Sequence, residues 1–162
     1  MAWADYDGDR KSPAMTNAEL ADRLRDLRDF LIIAGYEESH ATRYTQIARQ
    51  IEKMPEPIAE LLGEGRLREI PGVGALVAQY IREILEEGVS SKQREWEKEA
   101  PITVLELVRI PGVGANTAKR LFAEFGIDSA AALRAALDSG ILEDAPGIGP
   151  KTLATMRAFV GS

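Results

Sequence analysis

A five-residue motif recurs three times in this chain and constrains everything around it. It reads Ile110-Pro111-Gly112-Val113-Gly114 in the C-terminal half, Ile70-Pro71-Gly72-Val73-Gly74 upstream and Ala145-Pro146-Gly147-Ile148-Gly149 downstream. Each copy follows a short apolar-periodic segment and precedes a longer one. Proline ends the incoming helix, because its ring clashes with a continuing turn and it offers no N–H. The first glycine takes a positive φ at little steric cost, and the second leaves room for another backbone to approach the next helix. Between them one apolar residue, Val73, Val113 or Ile148, is placed to plug the hairpin into a core. The chain is therefore expected to run helix, tight hairpin, helix, three times over, an internal repeat that fixes the fold class.

The spacing of apolar residues around the hairpins is helical. Thr16-Asn17-Ala18-Glu19 fits a capping box. Leu20, Leu24, Leu27, Phe30 and Leu31 then give the first helix one apolar face, and Gly35 stops it. A second helix is expected over residues 37–54 with Ala41, Tyr44, Ile47, Ala48 and Ile51 inward. Pro55 and Pro57 break it, and a third short helix carries Ile58, Leu61 and Leu62. The helix leaving the first hairpin runs to about Glu87. Ser91 is expected to cap a charged helix reaching Glu99, and Pro101 to open the helix that carries Val104, Leu105, Leu107 and Val108. Gly126 ends the helix leaving the second hairpin, Ser129 caps a linking helix over residues 130–139 that Gly140 stops, and the last helix reaches about Val160. No segment alternates at period two, so the expected fold is all-α, a helical bundle. Residues 1–14 read as a flexible extension, 15–88 as one helical subdomain containing the first hairpin (70–74), and 89–162 as a second containing the other two (110–114 and 145–149).

Charge and composition narrow the function. There is no cysteine and one histidine, His40, which excludes disulfides, thiolate catalysis and multi-histidine metal clusters. No apolar run approaches the ~20 residues that span a membrane, so a cytoplasmic protein is expected. The net charge is −6, but it is unevenly spread. Residues 15–64 carry ten acids and six bases, whereas residues 101–162 carry six of each. An anion-binding surface is expected outside the acidic N-terminal half.

The hairpins suggest which anion. The first N–H groups of an outgoing helix have no intrahelical partners, and the macrodipole makes that end slightly positive. Two glycines remove the side chains that would keep a phosphate away. Main-chain donors of this kind hold a backbone phosphate without reading bases. The expected donors are Gly72, Gly74 and Leu76; Gly112, Gly114 and Thr117; and, more weakly, Gly147, Gly149 and Thr152. The second hairpin ranks first, with Arg109 before it and Lys119-Arg120 after it. The first has Arg66 and Arg68 in front and Arg82 behind. The third has Lys151 but follows Glu143-Asp144, which would repel an anion. The plainer alternative is that each turn merely joins two packed helices.

These residues resemble helix-hairpin-helix motifs. Residues 106–160, through Phe122-Ala123-Glu124-Phe125-Gly126-Ile127 to Pro146-Gly147-Ile148-Gly149-Pro150-Lys151-Thr152, are similar to the tandem unit of repair nucleases. Over residues 16–160 the pattern Tyr44…Met54-Pro55…Ile70-Pro71-Gly72-Val73-Gly74…Ala78 resembles the N-terminal region of bacterial family X DNA polymerases, a lyase-type helical domain followed by further hairpins. The resemblance implies binding to gapped, nicked or duplex DNA in repair, at the nucleoid. It also implies K⁺ or Na⁺ held by the main-chain carbonyls of Arg68, Ile70 and Val73 and of Val108, Ile110 and Val113; no other cofactor is expected. In lyase-active members a lysine on the outgoing helix of the first hairpin forms a Schiff base with the abasic sugar. Tyr80 stands there, and a phenol cannot supply an amine. Leu76 replaces a neighbouring phosphate-binding lysine, while Tyr44 matches a family pocket tyrosine and His40 a basic position. The chain ends at Ser162 without room for a nucleotidyltransferase domain, so neither lyase nor polymerase activity is expected. A fragment of a longer polymerase would have the same sequence. The competing expectations are a protein–protein module, self-associating through the tandem unit with Phe122, Phe125 and Phe159 as exposed anchors, and a residual lyase using Lys53 or Lys119.

Overall fold

In the computed structural model, residues 15–161 are described; the extension expected over residues 1–14 lies outside them. They form α1 (Asn17–Ala34), α2 (Glu38–Ala41), α3 (Arg43–Lys53), α4 (Ile58–Gly63), α5 (Ala75–Glu87), α6 (Ser91–Trp96), α7 (Leu105–Val108), α8 (Ala115–Phe125), α9 (Ala130–Ser139) and α10 (Pro150–Val160). Short 3₁₀ turns at Leu67–Glu69 and Ile102–Val104 lead into the first two hairpins. No strand forms among the described residues, and the fold is all-α, as the spacing predicts. Among these residues no helix is long and apolar enough to cross a membrane.

Local signals place most helix ends. Thr16 and Glu19 close a reciprocal capping box, with bonds of 3.1 and 2.8 Å. Gly35 ends α1 at a φ of 105°, a left-handed conformation that favours glycine. Ser129 caps α9 and Gly140 ends it, as expected. Two expectations are corrected. The helix expected over residues 37–54 divides at Thr42, whose hydroxyl donates to the Ser39 carbonyl at 2.9 Å and competes with the helical ladder. The cap of α6 is Ser90 rather than Ser91: the Ser90 hydroxyl accepts from the Gln93 N–H, while the Ser91 N–H and hydroxyl both donate to Glu83 at 2.8 Å. That helix stops at Trp96, short of Glu99.

Helix α1 is the axle of the fold. It buries Ala21, Ile32 and Ile33 in addition to the predicted Leu20, Leu24, Leu27, Phe30 and Leu31. Its apolar surface is thus wider than one stripe, and it packs most extensively on α3 and next on α8. One continuous apolar cluster runs from Leu20 through Ile51, Val77 and Leu121 to Met156. Asn17 locks the entry to α4. Its amide donates to the carbonyls of Ile51 and Glu56 at 3.2 and 2.9 Å, and its oxygen accepts from the Ile58 N–H at 2.7 Å. One side chain thereby holds both ends of the Pro55–Pro57 break.

Tyr44 on α3 and Tyr80 on α5 are buried in this core. Burial pushes both phenols above their ordinary range, with further contributions from Tyr36 at both sites and from Glu95 at Tyr80. An unfolded tyrosine ionises near pH 10, so the folded state binds these protons more tightly than the unfolded state does. Their stabilising contribution is complete below about pH 10 and is lost as pH rises above it. Urea unfolding at rising alkaline pH should show this decline, and Tyr44→Phe should lose less stability than the parent as pH rises from about 10 to 12. Parallel losses in both proteins would contradict the assignment.

Candidate functional site

The three hairpins share one conformation. The Ile70 carbonyl accepts from the Val73 N–H at 3.0 Å, Ile110 from Val113 at 3.0 Å and Ala145 from Ile148 at 3.2 Å. Proline occupies the second position of each turn, and Gly72, Gly112 and Gly147 occupy the third at φ of 89°, 83° and 80°. This is a type II β-turn, which requires positive φ at that position. Val73, Val113 and Ile148 are buried beyond it, as their pattern predicts.

The second glycine of each motif has a different reason. Gly74, Gly114 and Gly149 lie in extended backbone, with φ of −95°, −92° and −87°, which any residue can adopt. A Cβ built on any of them would meet no atom within 4 Å. No second backbone packs there, so the close approach expected within the protein does not occur. Each of these glycines is instead the N-cap of an outgoing helix and makes no side-chain capping bond. By contrast α1, α6 and α9 are capped by the side chains of Thr16, Ser90 and Ser129. At the hairpins the ends are left open.

The first intrahelical bonds run from the Ala78 N–H to the Gly74 carbonyl at 2.9 Å, from Ala118 to Gly114 at 2.9 Å and from Leu153 to Gly149 at 3.0 Å. The N–H groups of residues 75–77, 115–117 and 151–152 precede those bonds and face outward from the helix start. Pro150, the first residue of α10, has no N–H, so the third hairpin presents fewer donors. The remaining difference is access. Gly72, Gly74, Ala75 and Leu76 are all exposed at the first hairpin. At the second, Ala115 is only 9% exposed and packs against Ile32 and Ala41.

Side-chain charge is distributed differently from the sequence ranking. Arg109, the cation expected to favour the second hairpin, donates two hydrogen bonds to Asp26 at 2.9 and 3.0 Å. Asp26, followed by Asp29 and Asp22, holds its guanidinium above the ordinary range. The Asn116 amide donates to Glu38 at 3.4 Å, so α1 and α2 bring carboxylates to the edge of this hairpin. Arg66 is likewise surrounded, by Glu56, Glu64 and Glu69. Arg68, Arg82, Lys119 and Lys151 have no ion-pair partner among the described residues. The third hairpin is less acidic than its sequence implies. Glu143 pairs with Arg157 at 2.8 Å, and a Cβ on Gly147 would lie 2.9 Å from Arg120 Nη1, so that guanidinium lies over the turn while its Nε donates to Glu124. Thr117 and Thr152 are half-buried on the first turns of their helices.

Tyr80, where the resemblance led a Schiff-base lysine to be expected, is 8% exposed, while Leu76 is 58% exposed at the mouth of the first hairpin. His40 and Lys53 are exposed, and Lys119 is half-buried on α8. Among the described residues no three His, Asp or Glu side chains are placed to hold a metal ion together. The Ile70 and Ile110 carbonyls each accept the turn's hydrogen bond, which leaves one lone pair apiece for a further partner. Phe122 and Phe125 pack against the core, whereas Phe159 is 44% exposed.

Residues 15–90 match a helix-hairpin-helix domain, and residues 104–159 match a SAM-like helix-hairpin-helix tandem. Among curated proteins, the DNA polymerase/3'-5' exonuclease PolX of Bacillus subtilis (strain 168) is 22% identical over 129 residues. That alignment covers 80% of this chain and 22% of the relative's length.

Proposed function

Since the chain is a helix-hairpin-helix protein resembling the N-terminal region of bacterial family X DNA polymerases, we propose that it binds DNA by its backbone, without regard to sequence. The observation that carries this proposal is the trio of N-cap glycines that neither backbone conformation nor packing requires. They leave helix N–H groups open to an external acceptor, and phosphate oxygens suit such a site. The donors are the amides that follow Gly74 and Gly114, assisted by Arg68 and Lys119, with Gly147, Gly149, Thr152, Lys151 and the overlying Arg120 as a weaker third contact. The first hairpin is the most accessible of the three and the second the most encumbered by carboxylates. Discontinuous DNA in repair is the setting we favour, by analogy with the relative. The role is non-catalytic, since a buried phenol replaces the amine that lyase chemistry requires.

K⁺ or Na⁺ fits the same turns. The carbonyls of Arg68, Ile70 and Val73, and of Val108, Ile110 and Val113, supply the neutral oxygen donors that hard cations prefer. Such a cation would add positive charge beside the phosphate.

Two hairpins with a few cations neutralise ~2–4 phosphates, which gives a slope of log affinity against log salt of about −2 to −4. Dissociation constants of ~10⁻⁴ to 10⁻⁶ M are expected at physiological salt. Anisotropy titrations of two unrelated duplex sequences over a salt series test this. Matching affinities and a slope in that range are expected. No binding at low salt, or binding insensitive to salt, would overturn the proposal.

A further inference from the structure

Two carboxylates from the other half of the chain meet the second hairpin, and each occupies a polar group at its edge. Asp26 of α1 accepts two hydrogen bonds from Arg109, the residue just before the turn, at 2.9 and 3.0 Å. Glu38, the first residue of α2, accepts from the Asn116 amide at 3.4 Å. Asn116 lies on the first turn of α8, among the residues whose N–H groups are open. The partners are 83 and 78 positions apart in the sequence, so the fold alone brings them together. The platform beneath them is apolar, for Ile32 of α1 and Ala41 pack on Ala115, the first residue of α8.

A carboxylate offers a guanidinium two oxygens, the same paired acceptors that a phosphate offers. Asp26 therefore fills the place at Arg109 that the phosphate of a strand would take. Its neighbours on α1 are engaged within the helix, Asp29 by Arg28 and Asp22 by Arg25. At the first hairpin the acids around Arg66 come from its own segment, Glu56, Glu64 and Glu69.

We infer that α1 and α2 form a built-in competitor for the second hairpin, with Asp26 and Glu38 standing in for phosphate until DNA displaces them. The inference rests on the DNA-binding function proposed above. Ion pairs at the surface, where this one lies, contribute little to stability. A phosphate can thus replace the carboxylate while the apolar contact at Ala115 stays closed. The second hairpin is held at low affinity by its own fold. DNA meets the first hairpin first, and the second engages only where the path of the strand delivers a phosphate to Arg109.

The test compares the full chain with Asp26→Asn, by anisotropy titration of one short duplex over a salt series. Asparagine keeps the shape of the side chain and removes its charge, which frees Arg109 for one further phosphate. The slope of log affinity against log salt should steepen by about 0.9, and affinity near 0.1 M salt should rise by up to about tenfold. Glu38→Gln should give a smaller rise. Two comparisons separate release of the arginine from the general loss of a negative charge. Glu99→Gln, at an exposed position, changes the net charge equally and should leave the slope as it is. The double variant Asp26→Asn/Arg109→Gln has the parent's net charge and should return to the parent's slope and affinity. Melting curves verify that each variant is folded, and Glu38→Gln carries the test if Asp26→Asn is not. An unchanged slope in folded Asp26→Asn, an equal gain in Glu99→Gln, or a gain that survives in the double variant would overturn the competitor while DNA binding stands. Failure of the parent and every variant to bind DNA would overturn both.

Discussion

Gly74→Asp should make this protein more stable and much weaker in binding DNA. The backbone at Gly74, φ −95° and ψ −168°, accommodates aspartate, and a Cβ there meets no atom within 4 Å. A carboxylate at the N-cap would accept from the open N–H groups of α5 and favourably meet the helix dipole. Relative to glycine the gain is a few tenths of a kcal/mol from the cap and up to about 1 kcal/mol from the charge. In a chain of this size that raises Tm by a few degrees. The same carboxylate would occupy the donors offered to phosphate and repel it. The loss of a hydrogen bond to a charged group, about 1.5–3 kcal/mol, corresponds to roughly a tenfold to hundredfold loss of affinity at that hairpin. Gly72→Ala gives the opposite control. Its φ of 89° strains an alanine, so stability should fall, by about 1–2 kcal/mol. Thermal melts and DNA titrations of both variants check the pair. Gly74→Asp with undiminished binding would remove the hairpin amides from the interface.

Phe30→Ala is expected to have the largest effect on stability. Phe30 is fully buried within α1, the helix that packs on both α3 and α8. Deleting such a ring costs about 3–5 kcal/mol, a large share of the 5–15 kcal/mol typical of a domain. Because the apolar cluster is continuous through both sequence halves, the loss should appear in both. Amide exchange at Ile47 in α3 and Leu121 in α8 should accelerate together. Acceleration confined to α3 would show that the halves are stabilised separately.

The repeated motif made the hairpins legible in the sequence because their determinants are local. A type II turn needs proline and glycine at adjacent positions, and each copy supplies them. Thr16, Gly35, Ser129 and Gly140 mark helix ends for the same reason: each acts on backbone within four residues. The differences at Thr42 and Ser91 come from hydroxyls held by other partners, the Ser39 carbonyl and the Glu83 carboxylate. The apolar spacing showed one face of α1, but a helix that serves two neighbours buries more, and Ile32 signals that only once Ala115 of α8 is in place.

Charge was the least legible property. Basic residues flanking each hairpin ranked the second one first, yet Arg109 meets Asp26 from 83 positions away. Arg120 was assigned to the second hairpin and lies over the third, because the turn of the tandem unit brings Gly147 beneath it. Asn17, which holds the break between α3 and α4, passed as a member of a capping box. Nothing in spacing shows that its amide reaches carbonyls of residues 51 and 56. In each case the partner is set by packing, which sequence neighbourhood does not report.

The central claim is that open amides at the starts of α5 and α8 meet the phosphates. Titrating a short duplex into nitrogen-15-labelled protein, and following each backbone amide, tests it most directly. The account predicts that the largest shifts fall on residues 74–77 and 114–117, and that they vanish as salt is raised. Shifts confined to exposed arginines and lysines elsewhere, with these amides unmoved, would contradict it.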